Sequence, residues 1–181
     1  MDWIVTLAAA ALAIFLLEAE VAQPFRVPTA SMEQTLLCAR PTVGCTARFN
    51  DRVLVAKIVF RFRDPHRGEI VVFHAPAAAK RKCSEGGTYL KRVIGLPGER
   101  VTETEGFVYV DGRKLSEPYL DPHSRDADFG SWPRLGPNRY FVMGDNRIAS
   151  CDSRTWGPVP RSALIGPVVA TYWPPWRATI R

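Results

Sequence analysis

Ser31 stands in Val27-Pro-Thr-Ala-Ser-Met-Glu-Gln-Thr-Leu36, a few residues after an apolar N-terminal run. A hydroxyl so close to a membrane span would sit at the bilayer surface, and a substrate reached from there would be held in the membrane too. To act as a nucleophile it needs a base for its proton. Of the histidines, His66 follows Asp64-Pro65 in a turn, His74 ends a strand-like run and His123 lies in a Pro/Asp-rich stretch. None has a triad context, and each reads as structural or exposed. Lysine is the other option, because an amine that is desolvated or set beside another cation loses its proton near neutral pH. Lys91 lies within Thr88-Tyr-Leu-Lys-Arg-Val-Ile-Gly-Leu-Pro-Gly98, between apolar residues on a predicted strand. Side chains alternate along a strand, so Lys91 and Arg92 point to opposite faces. An interior amine and an ordinary exposed strand lysine both fit that pattern, and Ser/Lys pairs are a recognised variant of the catalytic triad.

A third group of polar residues is Gly144-Asp-Asn-Arg-Ile-Ala-Ser-Cys-Asp-Ser-Arg154. Such density is either a solvated loop or a hydrogen-bonded scaffold that holds a site. Asp145 and Asp152 each have an Arg two residues on, Arg147 and Arg154, which permits locally paired charges.

The elements that must position these groups are mostly strands. Asp51-Arg-Val-Leu-Val-Ala-Lys57, Gly68-Glu-Ile-Val-Val-Phe-His74, Tyr89 to Ile94, Phe107-Val-Tyr-Val110, Tyr140-Phe-Val-Met143 and Ala163 to Trp173 are rich in β-branched and aromatic residues. Gly95-Leu-Pro-Gly98 must turn, and Asp111-Gly112 signals a hairpin. Ala75 to Gly87 reads as a mobile loop and Ser116 to Pro137 as loop or a small appended lobe. No helical period follows the N-terminal run. Many short strands with regular turn signals predict an all-β barrel or sandwich.

The chain has 181 residues, 46% of them hydrophobic and 23% charged, which suits one globular domain plus an anchor and does not suggest disorder. Its formal charge of +6 is dispersed. The densest basic run, Lys80-Arg81-Lys82, has no aromatic residues interleaved and reads as a solvated loop, or secondarily as a contact for anionic lipid. A nucleic-acid partner would need a basic face with stacking or groove-entering elements, and the sequence offers neither.

Trp3 to Leu17 is uncharged and mostly apolar. As a helix it covers roughly 22 Å, short of the ~30 Å hydrocarbon core, and extending it to Ala22 takes in Glu18 and Glu20 at the interface. Three readings compete: an uncleaved anchor, a cleaved secretory signal and a buried helix. The anchor is favoured, because no Lys or Arg precedes Trp3 and cleavage near Ala22 would leave Ser31 on a loose tail. With no basic residues flanking the run on that side, the positive-inside rule does not decide the topology. Of the four cysteines, Cys38 and Cys45 bracket a short loop easily closed by a disulfide. Free thiols are the rival reading, and zinc is disfavoured by the spacing and the lack of a His pair. If the bond exists, the domain faces outward.

In family order, the N-terminal run, Pro28-Thr-Ala-Ser-Met32, Asp51-Arg-Val-Leu-Val55, Lys91-Arg-Val-Ile-Gly-Leu-Pro-Gly98, Gly144-Asp-Asn-Arg147 and Asp152-Ser-Arg154 resemble bacterial type I signal peptidase, with Trp156-Gly-Pro-Val159 and Leu164-Ile-Gly166 in its tail. The resemblance covers most of the chain. It implies a mainly β catalytic domain of barrel or sandwich type over residues 23–181, a small inserted cap at about 102–139, and one transmembrane helix within 1–22. It also implies a membrane-bound serine endopeptidase that removes signal peptides from exported preproteins after Ala-x-Ala-like sites.

Within that resemblance Ser31 matches the nucleophile, Lys91 the general base, Ser150 the serine that orients the lysine, and Thr29 the hydroxyl of the oxyanion hole, where Ser is commoner. Met32 matches the residue lining the substrate pocket, and Asp145, Arg147, Asp152 and Arg154 a supporting polar network that engages Arg92. No cofactor and no metal are implied. The partners implied are signal peptides, the lipid bilayer and the secretion translocon, with the catalytic domain on the extracytoplasmic face of the plasma membrane. Gln34 departs from the family, which usually has Pro there. Trp173-Pro-Pro-Trp176 suits a membrane interface, the core or simple exposure. The rival functional readings are a maturation peptidase dedicated to one secreted or conjugation protein and a membrane-tethered β-domain without catalysis.

Overall fold

The run Ile70-Val-Val-Phe73 shows no polar alternation, and its place in the fold is the reason. In a computed structural model that describes residues 3–9, 21–83 and 86–181, this strand is covered on both faces. The strands are β1 (Ala22–Arg26), β2 (Arg52–Ala56), β3 (Ile70–His74), β4 (Thr88–Gly95), β5 (Val101–Thr104), β6 (Phe107–Val110), β7 (Arg113–Lys114), β8 (Gly130–Ser131), β9 (Arg139–Met143), β10 (Val159–Pro160), β11 (Leu164–Trp173) and β12 (Thr179–Ile180). An eight-stranded sheet runs β1-β2-β11-β3-β4-β9-β10, with β12 on β11, and a four-stranded sheet runs β7-β6-β5-β8. Every pairing between named strands is antiparallel. The expectation of a mainly β protein holds.

Ile70 and Val72 pack with Val53, Val55, Met32 and Leu36, whereas Val71 and Phe73 pack with Tyr89, Val93, Val142 and Trp156 on the other face. A strand buried on both sides reads as a continuous apolar run. A third cluster of Ile94, Val101, Val108, Leu135, Phe141 and Met143 joins the second sheet to the first. Asp111 and Gly112 both adopt positive φ between β6 and β7, as the hairpin signal requires.

One expectation is corrected. Ala75 to Gly87 is not simply loop, because Ala77–Cys83 forms a helix. Its three alanines have high helix propensity, and Lys80, Arg81 and Lys82 occupy the last turn, where cations favour the helix dipole. Short helices also form at Val59–Phe62 and at Ser153–Trp156, the latter capped by the Asp152 carboxylate.

Residues 3–9 are helical, with Trp3, Ile4, Val5 and Leu7 exposed. The rest of the anchor expected over 1–22 lies almost wholly outside the described residues. Among the described residues no helix is long and apolar enough to cross a membrane. Trp173 and Trp176 lie at the surface, not in the core, with edge contacts to Phe49 at 6.3 and 6.0 Å.

All four cysteines are bonded: Cys38 to Cys45, with Cα atoms 5.0 Å apart, and Cys83 to Cys151, with Cα atoms 6.2 Å apart. The second bond pins the Ala77–Cys83 helix to the loop after β9. Its partners are too far apart in sequence to be paired by spacing, although an even cysteine count is a signal for it. Loop-closure entropy grows with loop length, so the bond spanning 68 residues should stabilise the fold by ~4 kcal/mol and the one spanning 7 by only ~2 kcal/mol. Denaturant unfolding of the Cys83→Ser/Cys151→Ser and Cys38→Ser/Cys45→Ser proteins is expected to show losses in that order.

Candidate active site

β1 delivers the chain to a short 3-10 turn, Ala30–Met32, in which Ser31 is central and 8% exposed. The turn is tied down at both ends. Val27 donates its N–H to Asp51 O at 2.9 Å, and the Asp51 carboxylate, fully buried, accepts from Leu37 N at 2.9 Å and from Arg177. The sheet then brings β4 alongside. Lys91, opposite Val71 of β3, is 2% exposed, and its Nζ stands 2.5 Å from Ser31 Oγ. The exposed-lysine reading is therefore excluded. His66, His74 and His123 are all exposed.

Thr29 Oγ1 is 3.4 Å from Ser31 Oγ. Thr29, Ser31, Met32 and Lys91 all line one open cavity of about 330 Å³, whose other walls include Phe25, Val27, Val72, Tyr89 and Leu90. A serine hydroxyl and a buried amine thus meet on the wall of a mostly apolar cleft. A hydroxyl within reach of a buried amine is an arrangement that suits acyl transfer.

Arg92, one residue on, faces the other way. Its guanidinium forms a two-pronged ion pair with Asp145, at 2.8 and 2.5 Å, donates to Gly68 O at 2.7 Å and stacks 3.8 Å from the Tyr119 ring. Asp145 also accepts from Thr35 Oγ1 at 2.5 Å, which ties the loop after β9 to the segment after Ser31. Asn146 completes the join: its backbone N–H donates to Ser31 O and its Nδ2 to Ala30 O, each at 3.1 Å.

The loop from Gly144 to Arg154 is a scaffold, since Asp145, Arg147, Asp152 and Ser153 are all buried. Of the two local pairings expected, only Asp152 with Arg154 forms, at 2.9 Å. Asp145 instead takes Arg92, while Arg147 donates to Gly144 O at 3.0 Å and pairs with Glu117. Arg154 pairs also with Asp126, and Asp152 accepts from Gly144 N at 3.0 Å. Ser150 Oγ is buried and has no hydrogen-bond partner among the described residues, so the expected bond to Lys91 is not made in this structure. Sequence reasoning missed Glu117, Asp126, Asn146 and Thr35, because their partners lie far along the chain. Asn146 alone carried a signal, by standing inside the polar loop.

Glu103 of β5 is buried close to Arg154, at 3.8 Å. Burial pushes its carboxyl up to about 7, with Arg154 opposing and Asp126 adding to the rise.

The chain matches the model of the family described as "Signal peptidase, peptidase S26" over residues 1–173, and it belongs to that family. It is 40% identical over 154 residues to a protein named "Probable signal peptidase I-2" from Synechocystis sp., a match covering 85% of this chain and 64% of that one. It is 30% identical over 190 residues to "Signal peptidase IB" from Staphylococcus aureus, covering 96% of this chain and 90% of that one. A crystal structure of a signal peptidase I from Enterococcus faecalis V583 aligns with 59% of this chain and 97% of its own, at 29% identity and a TM-score of 0.48.

Two measurements follow from this geometry. A Cβ at Gly144 would stand inside van der Waals contact of both Ser150 Oγ and Ser31 O, so Gly144→Ala should displace the turn and cut turnover by roughly 10²-fold, with the fold retained. For Glu103, the folded carboxyl keeps its proton up to about pH 7 while the ordinary one loses it near 4.5. Stability should therefore fall as pH rises through that window, and the whole penalty applies above it. Glu103→Gln should flatten this slope and gain on the order of 1–3 kcal/mol over wild type at pH 8 in denaturant titrations, with little difference below pH 4.5.

Proposed function

We propose that this protein is a membrane-bound serine endopeptidase that removes signal peptides from exported preproteins, cutting after Ala-x-Ala-like sites with Ser31 as nucleophile and Lys91 as general base. The observation that carries the reading is the 2.5 Å contact between Lys91 Nζ and Ser31 Oγ on the wall of an apolar cleft. Family membership and the relatives named signal peptidase support it.

In this reading Ser31 Oγ attacks the scissile carbonyl as its proton passes to Lys91. The step requires a neutral amine, and removal from water favours the neutral form. The oxyanion is stabilised by the Ser31 N–H and the Thr29 hydroxyl, and Lys91 then protonates the leaving amine. Water then attacks the ester carbonyl as its proton passes to Lys91, and Lys91 returns that proton to Ser31 Oγ as the C–Oγ bond breaks and the signal-peptide acid leaves. Ser150, whose buried hydroxyl is otherwise unengaged, orients the amine once substrate is bound. Met32 shapes the floor of the cleft, and Arg92, Asp145, Arg147, Asp152 and Arg154 hold the loop against the Ser31 turn.

The setting follows from the same reading. The segment within 1–22 anchors the chain in the plasma membrane by a single pass, and residues 23–181 work on the extracytoplasmic face. The second sheet and its flanks, about 102–139, form the cap. The partners are signal peptides, the bilayer and the secretion translocon. Exposed Trp173 and Trp176 suit the membrane interface.

The test is cleavage of a preprotein carrying an Ala-x-Ala site by the full-length protein in detergent or vesicles. Ser31→Ala and Lys91→Ala should each lower turnover by ~10⁴-fold or more, and Thr29→Val by ~10²–10³-fold, with folding intact. The wild-type pH–rate profile should report an amine more acidic than free lysine. Full activity in either the Ser31 or the Lys91 variant would refute the dyad.

A further inference from the structure

Besides the Asp51 and Asp145 ties on its flanks, three contacts among the described residues brace the Ser31 turn itself. Two come from the scaffold loop, through the Asn146 bonds to Ser31 O and Ala30 O. The third leaves the turn on its other side and runs through Glu33. The Glu33 N–H donates to Ala30 O at 3.1 Å, closing the turn around Ser31, while its side chain points into the protein and is 3% exposed. A buried carboxylate is costly unless hydrogen-bonded. Glu33 accepts from Cys38 N and from Thr46 Oγ1, each at 3.0 Å, and from Thr46 N at 3.4 Å; the Cys38 sulfur lies 3.4 Å from the same oxygen.

Every one of these donors belongs to the loop closed by Cys38–Cys45 or to the residue next to it. The ligand-bearing atoms of Glu33, Cys38 and Cys45 lie within 4.8 Å of one another, but the two sulfurs are joined, so no thiolate is left to hold a metal. The carboxylate has a different task there. A bond across so short a loop gains little from chain entropy, and what it does is fix the loop's shape, and with it the donors that face Glu33. At the exit of the turn Gln34 carries none of the φ restriction a proline would impose.

We propose that Glu33 is a positioning residue for Ser31, and that the Cys38–Cys45 loop is the rigid socket in which its carboxylate seats. The inference rests on the reading of Ser31 as the nucleophile. Glu33 touches no reacting atom; it sets the angle at which the turn presents Ser31 Oγ to Lys91. Misplacing a catalytic group by about 1 Å costs on the order of 10²-fold in rate. The loss should fall mainly on kcat, because much of the cleft wall, Phe25 of β1, Val72 of β3 and Tyr89 and Leu90 of β4, lies outside the turn.

The experiment uses the full-length protein with the same preprotein and single-turnover kinetics, with thermal unfolding as a control. Glu33→Ala should lower kcat by roughly 10²-fold and leave KM within about three-fold. Glu33→Gln, whose carbonyl can still accept from both N–H groups and whose amide can donate to the Thr46 hydroxyl, should keep kcat within about ten-fold of wild type. Cys38→Ser/Cys45→Ser should lower kcat in the same direction. Combined with Glu33→Ala it should cost little more than Glu33→Ala alone, since both remove one device.

Wild-type kcat in Glu33→Ala overturns the proposal, as does full additivity of the Glu33 and cysteine changes. Should Glu33→Ala not fold, Thr46→Val and the cysteine pair carry the test, and unchanged kcat in both overturns it. Retained cleavage by Ser31→Ala would instead defeat the nucleophile reading on which the proposal stands, so the two failures are told apart.

Discussion

The alternation of side chains along β4 is the constraint on which the site depends. Lys91 and Arg92 are adjacent, so a pleated strand must send them to opposite faces. One face receives a buried amine against Ser31, the other a buried guanidinium against Asp145. β4 lies between β3 and β9, and a shift of its register by one residue would exchange the two cations. The apolar neighbours Val93 and Ile94, buried in different clusters, hold that register by hydrophobic burial. The Ser31–Lys91 contact is thus aligned by packing well away from it.

The Arg92–Asp145 pair turns this register into a tertiary link. Asp145 belongs to the loop that grips Ser31 O and Ala30 O through Asn146, and it also accepts from Thr35 beyond the turn. Breaking a buried pair by removing one partner typically costs about 3–5 kcal/mol, because the remaining charge is stranded. The site is therefore clamped by groups that do not line the cleft: Arg92 and Asp145 beneath it, Glu33 and its disulfide loop beside it, and Cys83–Cys151 behind the scaffold loop. A hydroxyl and an amine need alignment more than they need neighbours, and the sequence devotes many more residues to the frame than to the reacting pair.

How much of this is legible without coordinates depends on whether a feature is local. The strands are legible because burial on one or both faces leaves a local signature, as at Ile70 to Phe73. Ser31 and Lys91 stand out by residue type and setting, but their meeting across 60 residues is a property of the sheet. The Gly144 to Arg154 loop reads equally as scaffold or solvated loop, and burial of Asp145 and Asp152 decides it. Its charge pairing is legible only in part: Asp152 takes the nearby Arg154 as the spacing permits, whereas Asp145 and Arg147 take Arg92 and Glu117, far along the chain. Glu33 carries no signal in the sequence, because the donors that bury it belong to the disulfide loop that folds over it. The Ala77–Cys83 helix is obscured by its small and charged composition, which suits a loop equally well.

With Ser31 as the proposed nucleophile, a covalent acyl group must pass through its Oγ during turnover. The most direct measurement is mass spectrometry of the full-length protein, quenched in acid during steady-state cleavage of a preprotein and then digested. An ester-linked signal-peptide adduct is expected on the fragment containing Ser31, absent when substrate is omitted. Product formation with an adduct on another residue, or an adduct unaffected by Ser31→Ala, would contradict it.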